Sequence, residues 1–406
     1  MKHRFATVLV ATAWVASAAH AQLRFEAFDL EHPAIGYRST PASDPVATLN
    51  GQLSRGERQL TFGGLTGYLR ALLTALDVPV ESQIVAYSRT SLQGARIRPD
   101  NPRAIYFSDS VVVAWVRGGF IEVAAHDPRQ GGIFYVLPQT FVPSPQLLRD
   151  ERCLGCHYSA AAEGVPGFFV RSIPTAADGS TLPWLGNVVP DHRTPLDERW
   201  GGWYVTGRTG SGSHLGNLLI PDRRAGELPG GARPSLSTLA GRFPTDDYLS
   251  PHSDVVALLV FEHQARMMNL ITRIGWEVRA GADVRALARE VVDYMLFIDE
   301  APLADVRGSS SFAEVFAARG PRDRAGRSLR DLDLQSRLLR YPCSYMIYSE
   351  AFDALPADAR ELVYRRLKAV LSGEVSDPKY ARLSADDREA ILQILRDTKS
   401  GLPDWF

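Results

Sequence analysis

The chain is poor in the residues that would staple it or anchor it. Only three cysteines occur among 406 residues, Cys153, Cys156 and Cys343, which excludes a disulfide-dense secreted scaffold. Lysine is confined to Lys2, Lys368, Lys379 and Lys399. Nearly all positive charge is therefore arginine, an imbalance that GC-rich coding explains without reference to function. No segment reaches the ~20 consecutive apolar residues that span a bilayer; beyond the N-terminus the longest apolar runs are Val255–Phe261 and Val111–Val116. A block of like charge is also missing. Lys and Arg total 45 against 46 Asp and Glu, for a net charge of −1, which argues against nucleic acid or an anionic membrane surface as partner. There is no internal repeat and no low-complexity tract. What remains is a globular composition, with apolar residues enough for one large or two ordinary domains.

Residues 1–21 read as a signal peptide. Lys2, His3 and Arg4 make a basic start, Phe5 to Ala16 an apolar run, and Ala19-His20-Ala21 a small-x-small cleavage pattern, so that the mature chain is expected to begin at Gln22. Export to the periplasm or beyond follows, with no membrane span left after cleavage.

The most informative segment is Cys153-Leu154-Gly155-Cys156-His157. C-x-x-C-H is the attachment pattern of c-type haem. Its two thiols add across the two vinyl groups, and the adjacent imidazole is tethered within reach of the iron. One covalent haem c is the expected cofactor, on Cys153 and Cys156, with His157 as axial iron ligand. Export supports this, because c-type haem is attached after translocation. The rival use of the motif, a zinc site, needs four ligands, and one remote cysteine is poor support for it. Cys343, in Tyr341-Pro342-Cys343-Ser344-Tyr345, reads as a buried, inert thiol.

The fold expected is α+β. A β-rich part covers residues 22–140, with strands at Gln83–Ser88, Ala104–Phe107, Val111–Val116, Ile121–Ala125 and Ile133–Leu137, separated by Gly, Asn and Pro turns and joined as antiparallel hairpins. A helix near Leu65–Leu76 precedes them. Residues 141–250 form an irregular haem-attachment segment holding one strand at Gly167–Ile173. Its Trp184, Trp200, Trp203 and Tyr204 are either cover for a haem face or ordinary core. Residues 251–406 read as helical, starting at a Ser250-Pro251-His252-Ser253-Asp254 cap, with further helices near Asp283–Ile298, Asp358–Leu371 and Ser384–Asp397.

The motif resembles that of c-type cytochromes. Asn101–Phe107, Asp191-His192-Arg193 with Arg199–Tyr204, and Tyr341–Tyr348 further resemble a bacterial group of predicted exported mono-haem cytochromes with no reaction attached to it. Many small c-type cytochromes place a methionine ligand some tens of residues after the motif. Here no methionine lies between His157 and Met267, so the haem is not packaged as a small standard cytochrome domain. Three residues are candidates for the second axial position. His263 and Met267 share one inward stripe with Val256, Val260, Leu270 and Ile274, and His214 sits in a glycine-flanked loop. His192, between Asp191 and Arg193, reads either as a distal acid–base group of the kind that peroxide cleavage uses or as part of a salt-bridged surface turn. The functional expectation is electron transfer with a redox partner protein or a small-molecule donor or acceptor; the alternative is a haem peroxidase or oxygenase with an open distal site.

Overall fold

A computed structural model describes residues 28–230 and 235–406; the signal segment lies outside the described residues. The β-rich part is built as the alternation of its residues requires. Strands β1 (Ile84–Ala86), β2 (Arg103–Phe107), β3 (Val111–Trp115), β4 (Ile121–Asp127), β5 (Gly131–Leu137) and β6 (Leu148–Arg149) follow one another, and after the two-residue strand β7 (Thr175–Ala176) comes β8 (Trp203–Tyr204). All but β7 join one antiparallel sheet in the order β6-β5-β4-β3-β2-β1-β8. The architecture is α+β, with the sheet in the N-terminal half and helices towards the C-terminus.

The two faces of the sheet bury different sets of side chains. Val85, Tyr106, Val113, Trp115, Ile121, Val123 and Ile133 pack under helices α1 (Pro45–Ser54) and α2 (Leu69–Ala75). Asp44 caps α1 through the amides of Val46 and Ala47 and also accepts the Tyr135 hydroxyl at 2.5 Å. On the other face, Ile84, Ile105 and Phe107 belong to the same core as the C-terminal helices. The boundary expected near residue 250 is therefore crossed by one continuous apolar core.

Past α3 (Leu154–His157), the longest helix is α4 (Val255–Arg279), buried on nearly every side. It packs against α5 (Arg285–Met295), α6 (Phe312–Ala318), α7 (Glu350–Asp353) and α8 (Ala357–Leu371), while α9 (Ala385–Thr398) closes against α8. Its start differs from the expectation. Asp254, not Ser250, is the cap: its carboxylate accepts the Val256 amide at 2.8 Å and so satisfies an orphan donor of the first turn. Ser384 caps α9 in a reciprocal box with Asp387. No helix among the described residues is long and apolar enough to cross a membrane.

Residues 167–173 are extended but form no strand, contrary to the pattern reading. Their backbone groups go to an asparagine side chain, to Val188 and to Gly201 rather than to one neighbouring strand.

Candidate haem site

The C-x-x-C-H segment forms a tight turn at the end of the sheet. Asp150 donates its amide to Phe134 O on β5 at 2.9 Å, which ties the turn to the sheet. The same Asp150 accepts the Arg152 amide at 3.0 Å and so opens the helical turns through Cys153 and His157. Leu154 is buried and anchors the turn. Cys153 is half-buried and Cys156 exposed, and a side chain built on Gly155 would meet nothing within 4 Å. The thiols thus border open space, as a bulky planar group attached through both would require. Burial, helped by Asp150 and Glu122, pushes the Cys153 thiol up to about 12.

His157 is held by both backbone and ring. Its carbonyl accepts the Gly167 amide at 3.0 Å, and its Nδ1 meets the Gly167 carbonyl at 2.9 Å. A carbonyl only accepts, so Nδ1 carries the proton and Nε2 presents the lone pair. The ring lies between Phe134, at 4.9 Å, and Phe169, at 5.1 Å. Burial lowers its pKa, the Gly167 bond opposes this, and the charge of Arg103 lowers it further. The imidazole is therefore neutral and oriented, the form a metal ligand takes.

Gly167 is itself clamped from α4. Asn269 accepts the Phe168 amide at 3.0 Å and donates to the Phe168 carbonyl at 2.7 Å. A Cβ on Gly167 would fall 2.1 Å from Asn269 Oδ1, so only glycine allows this approach. Neither Gly167 nor Asn269 was expected at the site: the clamp joins residues a hundred positions apart and leaves no local pattern.

The sheet face beside His157 carries mixed chemistry. In one row Ile105 pairs with Ala114, Ala114 with Glu122 and Glu122 with Val136; in the next Val112 pairs with Ala124 and Ala124 with Phe134. Glu122 accepts the Ser91 hydroxyl at 2.7 Å and pairs with Arg103 at 3.3 Å. Two neighbouring arginines keep a buried Nε without a partner, Arg103 and Arg171. These residues fit a haem at the motif: two thiols at an open edge, an oriented neutral imidazole, and unsatisfied cationic donors. The nearest cavity, about 110 Å³ and lined by Phe168, Phe169, Asp191, Glu262, Arg266 and Asn269 among others, is well short of the ~300–1,000 Å³ typical of an enclosed ligand site.

The candidates for the second axial position have the following surroundings. Met267 is packed in the apolar core, as its stripe on α4 predicts. His263 is on the same stripe and fully buried, but both its ring nitrogens are engaged, Nδ1 with His192 Nδ1 at 2.9 Å and Nε2 with Ser344 Oγ at 2.7 Å. His214 is buried, edge-on to Trp200 at 5.2 Å. The structure brings His192 and His263 together, wedged against Tyr294 and Phe297. α4 turns Asn269, on a different side from this stripe, towards the motif.

Burial narrows two readings that were left open. His192 is not in a surface turn: Asp191 and His192 are buried, Asp191 bridging Arg193 at 2.6 Å and Arg266 at 3.0 Å. Of the four aromatics offered as haem cover or core, Trp200, Trp203 and Tyr204 are buried core, whereas Trp184 is 60 % exposed and donates to Ala225 O. Cys343 is fully buried, which pushes its thiol up to about 12.

Among the described residues no three His, Cys, Asp or Glu side chains gather as a metal-binding group. No family model, curated protein or solved structure matches the chain.

Proposed function

We propose that this chain is an exported mono-haem protein of the electron-transfer class, carrying one haem c on Cys153 and Cys156 with His157 as axial ligand. The observation that supports it best is the His157–Gly167 hydrogen bond. It sets the tautomer a ligand histidine needs, in the one residue that the motif assigns to the iron. The haem supplies reversible one-electron chemistry when bound. The protein's part is to hold His157 neutral and fixed between Phe134 and Phe169, and to leave the thiol edge open at Cys156 and Gly155. An open edge suits exchange with a redox partner protein or a small donor or acceptor, because transfer needs approach and not enclosure.

The test is a visible absorption spectrum of the exported protein, made with a haem-attachment system, ferric and ferrous, with and without carbon monoxide. A low-spin spectrum indifferent to carbon monoxide supports the carrier. Replacement of His214, Met267 and His263 in turn then finds the sixth ligand, with His263 expected to be silent because its nitrogens are already engaged. A high-spin spectrum that shifts with carbon monoxide overturns the carrier in favour of a peroxidase or oxygenase.

A further inference from the structure

We propose that Arg103 and Arg171 form a carboxylate-binding pair that takes the two propionates of the haem held at Cys153 and Cys156, an inference that rests on the haem reading above. The two side chains come from distant parts of the chain and converge on one end of the sheet face. Arg103 is the first residue of β2 and pairs across the sheet with Ala86, which pairs in turn with Trp203 of β8. The indole of Trp203 donates to the Arg171 carbonyl at 2.8 Å, which places both arginines around Trp203. Arg171 also lies over Phe169, the ring that flanks His157. Between this end and the motif the half-buried part of the face is formed by Val112, Glu122, Ala124 and Val136.

Each guanidinium has an Nε with neither solvent nor a hydrogen-bond acceptor. Leaving such a donor unpaired is costly for a charged group, and two of them flanking one sheet face call for a ligand. Arg103 has Glu122 on one arm at 3.3 Å and its Nε arm free, while Arg171 makes no ion pair among the described residues. A carboxylate is the ligand whose two oxygens match the fork of an arginine. The haem is amphipathic in the same sense as this face. With its vinyl edge on the thiols, its apolar plane would meet the half-buried Val112, Ala124 and Val136, and its two carboxylates would point away from the thiols.

The experiment compares the haem-loaded wild type with Arg103→Gln, Arg171→Gln, the double variant, and Arg285→Gln as a control on an exposed arginine paired with Asp283. Covalent haem is counted by pyridine haemochrome after denaturation, the midpoint potential is titrated, and propionate bands are read by resonance Raman. Removing a cation beside the propionates favours the ferric form. Both single variants are therefore expected to show a lowered midpoint potential and shifted propionate bands, the double variant a larger change, and the control none. Arg171→Lys, which keeps the charge and loses the fork, is expected to restore the potential more fully than the bands. Should Arg103→Gln fail to accumulate because Glu122 is left unpaired, Arg171→Gln and Arg171→Lys carry the test. Wild-type potential and bands in Arg171→Gln, with haem attached in full, overturn the assignment. A wild type that carries no covalent haem overturns the haem reading, and the assignment with it.

Discussion

The ring of His157 and the backbone carbonyl of Gly167 meet at 2.9 Å across ten residues of chain, and the same two residues are joined in the opposite sense by Gly167 N and His157 O at 3.0 Å. This clasp closes the loop that follows the C-x-x-C-H turn. It also transmits to the imidazole whatever positions Gly167, namely the side-chain amide of Asn269 on α4.

A methyl group at position 167 should break that chain of contacts. Its carbon would overlap Asn269 Oδ1 at 2.1 Å and Cγ at 2.8 Å, and Asn269 cannot retreat without releasing both backbone groups of Phe168. Gly167→Ala is expected to lose about 1–3 kcal/mol by overpacking, seen in urea unfolding, and to alter the visible spectrum of the haem-loaded protein. Asn269→Ala removes the clamp without the clash and should reproduce the loss of stability. Unchanged unfolding midpoints in both would mean that the clamp does not position His157.

The covalent attachment makes a separate prediction. With one thiol left, a single bond still holds haem through denaturation. Cys153→Ser and Cys156→Ser are each expected to reduce haem-stained protein on a denaturing gel, and the double variant to abolish it, while Cys343→Ser changes nothing because that thiol is buried in the core. Staining that survives loss of both motif cysteines would remove the attachment site assigned here.

How far the sequence disclosed this arrangement depends on the range of the interactions. The strands from Ile84 to Leu137 were readable because alternation is local, and the motif because its residues are contiguous. Helix α1 was not anticipated, although Asp44-Pro45 is a cap followed by a first-turn proline. Residues 167–173 looked like a strand because Phe168, Phe169, Val170 and Ile173 suit one, but their backbone partners are the side chain of Asn269 and the separate segments at Val188 and Gly201. Partners of that kind leave no periodicity. The surface-turn reading of His192 failed for a related reason: its flanking charges, Asp191 and Arg193, are solvated in most loops, and the half-buried Arg266 that pairs with Asp191 comes from α4. Gly167, Asn269, Arg103 and Arg171 reach the neighbourhood of the motif only through tertiary contacts.

A fully buried ion pair joins the aromatic segment to α4. Arg199 donates to Glu262 at 2.9 Å, with both side chains at most 1 % exposed. Burial pushes the Glu262 carboxyl up to about 7 against the pull of Arg199. Deleting one partner strands the other, so Arg199→Met alone is expected to cost about 3–5 kcal/mol. The double replacement Arg199→Met with Glu262→Met should cost clearly less than the two single effects added together, which a double-mutant cycle by chemical unfolding measures. Strict additivity would show that the pair is not coupled.

The junction between the sheet and α4 should set an acid limit on stability. His126, on β4 and 5 % exposed, shares a hydrogen bond of 2.9 Å with Thr272 on α4. Thr272 gives its own proton to Met268 O at 3.0 Å, so its oxygen accepts from His126 Nε2. Burial lowers the histidine's pKa from 6.5 to about 4, opposed only by the charge of Asp127. In the unfolded chain the ring protonates near its ordinary value, so the unfolded state takes up the proton first as pH falls. Stability is therefore full above pH 6.5 and drains away between 6.5 and 4, by about 3 kcal/mol for this one group. His263, held at about 3 by burial, and His192, also lowered by burial, act in the same direction. Replacing His126 by Gln removes one of these protons. Unfolding free energies measured from pH 7 to 4 should then fall less steeply for His126→Gln than for the wild type, by up to ~1.4 kcal/mol per pH unit. Above pH 7 the variant should be the less stable of the two, because glutamine fills the site less well. Parallel pH profiles would mean that His126 is solvated in the folded protein and that β4 and α4 are not sealed together there.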